Sequence, residues 1–146
     1  MVWPARCGHA ADMTRLLRHL GPAALLCLPL AAAAETPMTA DAFEAHTAGR
    51  TLTFEADGIP YGIERYMAGR RVLWSFLDGQ CAMGRWYPDG AAICFVYDTA
   101  PEEPQCWLVY LEDGRLRTVL TRDPEGPPLY QARDATEEMI CENFGT

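Results

Sequence analysis

Four cysteines, Cys81, Cys94, Cys106 and Cys141, are the residues of this 146-residue chain whose type and spacing most plainly do chemistry. They allow three pairings and contain no C-x-x-C, so cross-linking is expected of them and redox catalysis is not. Other reactive types are sparse. His46 is the one histidine beyond residue 34, and no Ser/His/Asp set surrounds it. With the cysteines paired, no metal-binding set of His and Cys remains. Glu102-Glu103, Glu112-Asp113 and Glu137-Glu138 read as solvated tips, not as two carboxylates flanking a cleft. The glycine patterns of phosphate- and dinucleotide-binding loops are missing, and no cofactor is implied.

The elements that must position the cysteines follow from turn signals. Asp57-Gly58, Ala68-Gly69, Asp78-Gly79, Asp89-Gly90, Asp113-Gly114 and Pro124-Glu125-Gly126 punctuate apolar segments rich in Val, Ile, Leu and aromatic residues. The reading is all-β: an antiparallel meander of about eight strands, at 51–56, 60–67, 70–77, 80–87, 91–97, 105–111, 115–121 and 128–132. A meander of that length curls into a barrel or half-barrel to hide its edges. One short helix precedes it, about residues 40–48, with Thr39 as N-cap, Asp41 in the first turn, Gly49 just past the end and Phe43 facing a core. The tail from Thr136 is expected to form a helical turn before Cys141.

Register then ranks the cysteine pairings. With Asp89-Gly90 as the turn, Cys94 faces Arg85 and not Cys81. Cys81 and Cys106 are separated by an intervening strand, roughly 9–10 Å, beyond the roughly 7 Å Cα limit for a disulfide. Cys94 with Cys106, on adjacent strands, and Cys81 with Cys141, stapling the tail to the sheet, are the pairing that remains.

The same registers divide the sheet into two faces. Leu73, Leu77, Trp86, Ile93, Phe95, Trp107, Val109, Leu111, Leu116 and Leu120 form the expected core, with Gly84 beneath Phe95. Trp74, Phe76, Met83, Cys94, Val96, Cys106, Leu108, Tyr110 and Val119 form the other face, with Arg85 and Arg117 among them. That second face is too apolar to meet water uncovered. The helix and the Cys141 tail are expected to cover it. Its functional reading is a ligand site built from Trp74, Arg85, Tyr110 and Arg117, suited to a small acidic or planar molecule.

Location comes from the other end of the chain. Arg15 and Arg18 precede an apolar run, Gly21 to Ala34, that ends in four alanines, the pattern of a secretory leader cut after Ala34. Residues 1–12 read as an over-called start ahead of Met13, and residues 35–146 as a single secreted β domain. The run is shorter than the roughly 18–20 residues of a spanning helix, and Pro22 and Pro29 interrupt it. No membrane anchor is expected after processing. Leu26 stands where a lipid attachment motif at Cys27 needs a small residue. The expected location is the periplasm or the medium, where disulfides persist.

The formal net charge is −8, with no lysine, and becomes more negative beyond the leader, which holds Arg6, Arg15 and Arg18 against Asp12 alone. Such a surface repels phosphate backbones and anionic membranes. It can attract a basic protein, and the stiff acidic segment Asp98–Pro104 suits the cleft of a basic cell-wall enzyme.

Gly84-Arg85-Trp86, Ile93-Cys94-Phe95 and Gln105-Cys106-Trp107 together resemble a family of small secreted alphaproteobacterial proteins of unknown function, which show a G-x-W, C-F and C pattern in a β meander. The resemblance covers about residues 60–121 and implies a periplasmic all-β domain without an assigned catalytic residue. Gly84-x-Trp86 is also similar to the G-x-W of lipocalins. There it opens the first strand after a short helix, whereas here it lies mid-meander. Two functions are therefore expected: a non-catalytic small-ligand-binding module or an acidic inhibitor.

Overall fold

The computed structural model describes residues 35–144. The leader reading falls on residues 1–34, outside the described residues. Helix α1 (Ala40–Thr47) precedes eight strands: β1 (Thr51–Ala56), β2 (Ile59–Met67), β3 (Arg71–Ser75), β4 (Cys81–Asp89), β5 (Ala92–Tyr97), β6 (Ala100–Glu112), β7 (Arg115–Leu120) and β8 (Leu129–Gln131). Each pairs antiparallel with the next, and β8 returns to β1 through Phe54 opposite Gln131, closing an up-and-down barrel. Closure removes the exposed edges that a meander of this length would otherwise carry.

Local chemistry explains the hairpins. Asp57-Gly58 and Asp113-Gly114 each occupy the two central positions of a turn, with φ of 52° and 75°, and 50° and 77°. Two positive φ values in succession match the right-handed twist of the flanking strands. At Asp89-Gly90 the turn lies one residue later: Asp89 pairs with Ala92, so Gly90-Ala91 form the bend. Arg85 consequently faces Val96, and Cys94 faces Tyr87. The offset is two positions in pairing, which preserves the faces. Gly84 lies opposite Tyr97, not Phe95.

The β3–β4 connection does change the faces. Leu77 adopts φ 68° and leaves the strand, its N–H donating to Ser75 Oγ, while Gln80 N–H donates to Asp78 Oδ1. Ser75 then pairs with Cys81, and Trp74 with Ala82 instead of Met83. That single-residue slip turns Trp74 inward and Leu73 outward, the reverse of the sequence expectation. Inside the barrel, Trp74 joins Phe54, Tyr66, Val72, Trp86, Ile93, Phe95, Val109, Leu116 and Leu129.

The disulfides join Cys94 to Cys106, which are direct cross-strand partners, and Cys81 to Cys141. In the chain-entropy model a link spanning 60 residues stabilises by roughly 4 kcal/mol and one spanning 12 by roughly 3 kcal/mol. Asn143 reinforces the longer link, accepting from the Cys81 N–H and donating to its carbonyl. The helical turn of the tail lies after Cys141, at Glu142–Phe144, because Glu142 N–H is drawn to the carbonyl of Gly79.

Two further expectations change. Segment Asp98–Pro104 is not a free loop: β6 begins at Ala100, which pairs with Tyr97, and pairing resumes at Gln105 with Phe95. Val96 alone therefore spans Pro101, Glu102, Glu103 and Pro104, which bulge outward because the prolines have no N–H for the ladder. Helix α1 does not cover the outer apolar face. Thr39 caps it by accepting from Ala42 N–H, and only Phe43 and Thr47 are buried. An eight-residue helix with one large apolar side chain can plug an end but not roof a sheet. Phe43 enters the barrel edge-on to Tyr66, Trp86 and Phe95, at centroid distances of 5.7, 5.1 and 6.2 Å. An Arg70–Glu44 ion pair and the His46 Nε2–Gln131 Oε1 hydrogen bond fasten the helix there.

Gly62 sets the inner surface of β2. A Cβ at this position would meet the Trp74 ring and come within 2.7 Å of the Ser75 carbonyl oxygen. Gly62→Ala is expected to destabilise the barrel by roughly 1–3 kcal/mol and to shift the Trp74 fluorescence maximum, since the indole must move. Unchanged urea midpoint and emission would show that the ring has room to spare.

Candidate functional site

Strand alternation places Gly62, Glu64 and Tyr66 of β2 on the inner surface, beside Trp74 of β3. A cavity of about 260 Å³ lies between Glu64, Tyr66 and Trp74 on one side and Phe54, Phe95, Tyr97, Gln105, Trp107, Val109, Thr118 and Leu129 on the other. That is slightly below the roughly 300–1,000 Å³ of pockets for drug-sized ligands, so it suits a compact molecule. Phe43 closes one end. Tyr61, Phe76, Thr99 and Ala100 border the other, where the β1–β2, β3–β4 and β5–β6 connections gather. Tyr61, Trp74 and Phe76 form an aromatic cluster at this mouth, with centroids 5.3–6.0 Å apart and Phe76 edge-on to the other two rings. Tyr61 and Phe76 remain 42% and 54% exposed, so aromatic surface is offered to whatever enters.

Glu64 is the one acidic or basic side chain among the described residues lining this cavity. It is 2% exposed. The Tyr97 hydroxyl donates to its Oε2 at 2.9 Å, while Oε1 is buried without a hydrogen-bond partner. Burial raises the Glu64 pKa from 4.5 to about 8, and the Tyr97 hydrogen bond opposes only part of that rise. Burial therefore favours the neutral form of the carboxyl near pH 7. Burial, followed by proximity to Glu64, also pushes both Tyr66 and Tyr97 well above the usual phenol range. Tyr97 can lie flat enough to reach Glu64 because Gly84 is beneath its ring: a Cβ there would approach Tyr97 Cδ1 to 2.7 Å.

Of the residues singled out from the sequence, Trp74 lines the cavity and the other three do not. Tyr110 and Arg117 are cross-strand partners on the outer surface, with the guanidinium 4.3 Å from the ring centroid. Arg117 is also ion-paired with Glu112 and Glu35, and its pKa is raised: burial acts against the rise and is outweighed by the Glu112 hydrogen bond and the nearby carboxylates. Arg85 is exposed and borders a shallow outer groove with Arg70, Trp86 and Glu102. Trp74 therefore lies across the barrel wall from the two arginines, and no arginine among the described residues reaches the cavity to hold an acidic ligand. The slip at β3 separates them.

Glu64 was missed by sequence reasoning because Ile63, its neighbour on the opposite face, is also buried. Strand β2 thus lacks a clean apolar–polar alternation. The available signal was Gly62-x-Glu64-x-Tyr66, a small residue and a carboxylate in phase with an aromatic on a strand next to Trp74.

Chemically, the arrangement can bury an apolar or aromatic body and meet one polar group of that body at Glu64. Among the described residues no cluster of three or more His, Cys, Asp or Glu is placed to hold a metal. No family model matches the chain, and no curated protein or solved structure does either.

Proposed function

We propose that this protein is a non-catalytic binding module of the periplasm or the extracellular medium, which takes a small, largely aromatic or apolar molecule inside its barrel. The observation that carries the reading is the aromatic cavity with one buried, half-partnered carboxyl and an exposed aromatic mouth. A pocket of mainly apolar lining with a single placed polar group is the usual form of a small-molecule site. Two disulfides suit an oxidising compartment. Among the described residues no helix is long and apolar enough to cross a membrane. The likeness to the secreted alphaproteobacterial family is proposed on the same footing: Gly84 seats Tyr97, Trp86 contacts the Phe43 plug, and Cys94 bonds Cys106.

The test is fluorescence titration with the neutral probe N-phenyl-1-naphthylamine, read also through the cavity tryptophans Trp74 and Trp107. Saturable binding is expected, and Ala82→Phe, which fills the cavity from β4, is expected to weaken it roughly tenfold or more while leaving the circular dichroism unchanged. Equal binding by the variant would place the probe elsewhere and refute the pocket. The exposed Pro101–Pro104 bulge, with Glu102 and Glu103, favours a second reading as an acidic inhibitor of a basic enzyme. Ala82→Phe separates the two readings, since it leaves the bulge unchanged.

A further inference from the structure

We propose that the ligand of this cavity is an organic cation: a compact amine whose ammonium group docks on the Glu64 carboxylate within the surrounding aromatic rings. The proposal rests on the reading of the barrel as a small-molecule binder and specifies the chemistry of the molecule. Three independent features point to a cation. First, Glu64 Oε1 is buried and unpartnered inside the cavity, while Oε2 already accepts from Tyr97. An ammonium brings up to three N–H donors and would satisfy the free oxygen as the carboxyl ionises.

Second, the carboxyl is set among aromatic side chains. Trp74 is its direct cross-strand neighbour, Tyr66 follows two residues later on the same inner face, and Tyr97 touches it. Aromatic faces attract cations, and do so more strongly when the site is dry. Third, charge favours entry of a cation. Glu64 has no basic partner among the described residues lining the cavity, and the chain as a whole carries net charge −8. The route in passes Tyr61 and Phe76, whose exposed rings offer the same attraction at the mouth.

Binding has a proton signature. In the empty barrel Glu64 holds a proton below about pH 8. An arriving ammonium keeps its own protons and stabilises the carboxylate, so Glu64 releases its proton to solvent and the complex is a neutral ion pair. A neutral ligand displaces no proton.

The experiment compares 2-(1-naphthyl)ethylamine with 2-(1-naphthyl)ethanol, which share a shape and differ in charge, by titration calorimetry at pH 6.5 in phosphate and in the sulfonate buffer ACES, whose ionisation enthalpies differ. The amine is expected to bind the wild-type protein roughly tenfold tighter than the alcohol, with release of about one proton read from the buffer dependence of the enthalpy. Glu64→Gln is expected to reduce the amine's advantage over the alcohol to about threefold or less. Equal affinity of the two probes for the wild type, or amine binding without proton release, overturns the cation assignment and leaves the binding module standing. Failure of both probes to bind overturns the two together. The wild-type measurements decide the matter even where the variant folds poorly.

Discussion

Replacing Glu64 with glutamine is expected to stabilise the empty barrel by roughly 3–5 kcal/mol at pH 8.5 and by almost nothing at pH 4. The folded-state pKa of Glu64 is about 8, against 4.5 for the free side chain. Below pH 4.5 both folded and unfolded chains hold the proton, and burial of the neutral acid carries little penalty. Between 4.5 and 8 the unfolded chain has released a proton that the folded chain still holds. The stability contributed by the protonated form therefore falls as pH rises through this window, and that contribution is fully lost above the folded pKa. Glutamine keeps the shape and still accepts from the Tyr97 hydroxyl, but cannot ionise. Thermal melts from pH 4 to pH 9 should show the wild-type midpoint dropping by on the order of 10 °C relative to the variant. Parallel curves for the two proteins would mean that Glu64 is not held dry. Strongly shifted carboxyls cluster at functional sites, which supports the proposed reading of the cavity.

Phe43→Ala is expected to lower stability by roughly 3–5 kcal/mol, the usual range for deleting a fully buried phenylalanine. Phe43 is 1% exposed and edges against three aromatic rings at the closed end of the barrel. It is also the one large side chain that α1 buries, so its loss should free the helix as well as leave a void. Hydrogen exchange at residues 40–47 should rise well beyond that of the strands, and the urea midpoint should fall. Phe43→Leu, which keeps much of the volume, should lose less than half as much. Normal protection of α1 in Phe43→Ala would show that the Arg70–Glu44 and His46–Gln131 contacts hold the helix by themselves.

These two residues differ in how well the sequence announced them. Phe43 could be read directly, since a capped eight-residue helix with one aromatic has one residue to bury. Glu64 could not, because Ile63 and Glu64 are both buried on opposite faces of β2. Trp74 was legible as a candidate and does line the cavity, but its companions there were not legible. Counting from Asp78-Gly79 as a two-residue turn puts Trp74 with Arg85 and Arg117; the connection that forms, from Phe76 to Gln80, puts it with Glu64.

By itself the sequence determined the all-β class, the eight strands, the capped helix and the spacing that lets Cys94 meet Cys106 and Cys81 meet Cys141. The elements depend on signals within a few residues of one another (period-two alternation, Asp-Gly turns, an N-cap threonine), and the cysteine pairing follows from the strand order those elements set. Only the tertiary structure decided closure of β8 onto β1, the inward face of β3, the seating of Phe43 and the dry setting of Glu64. Side-chain direction along a strand reverses with every residue, so one irregular connection exchanges its faces. The pKa of a carboxyl depends on how much water the assembled walls exclude, which no local stretch of chain specifies.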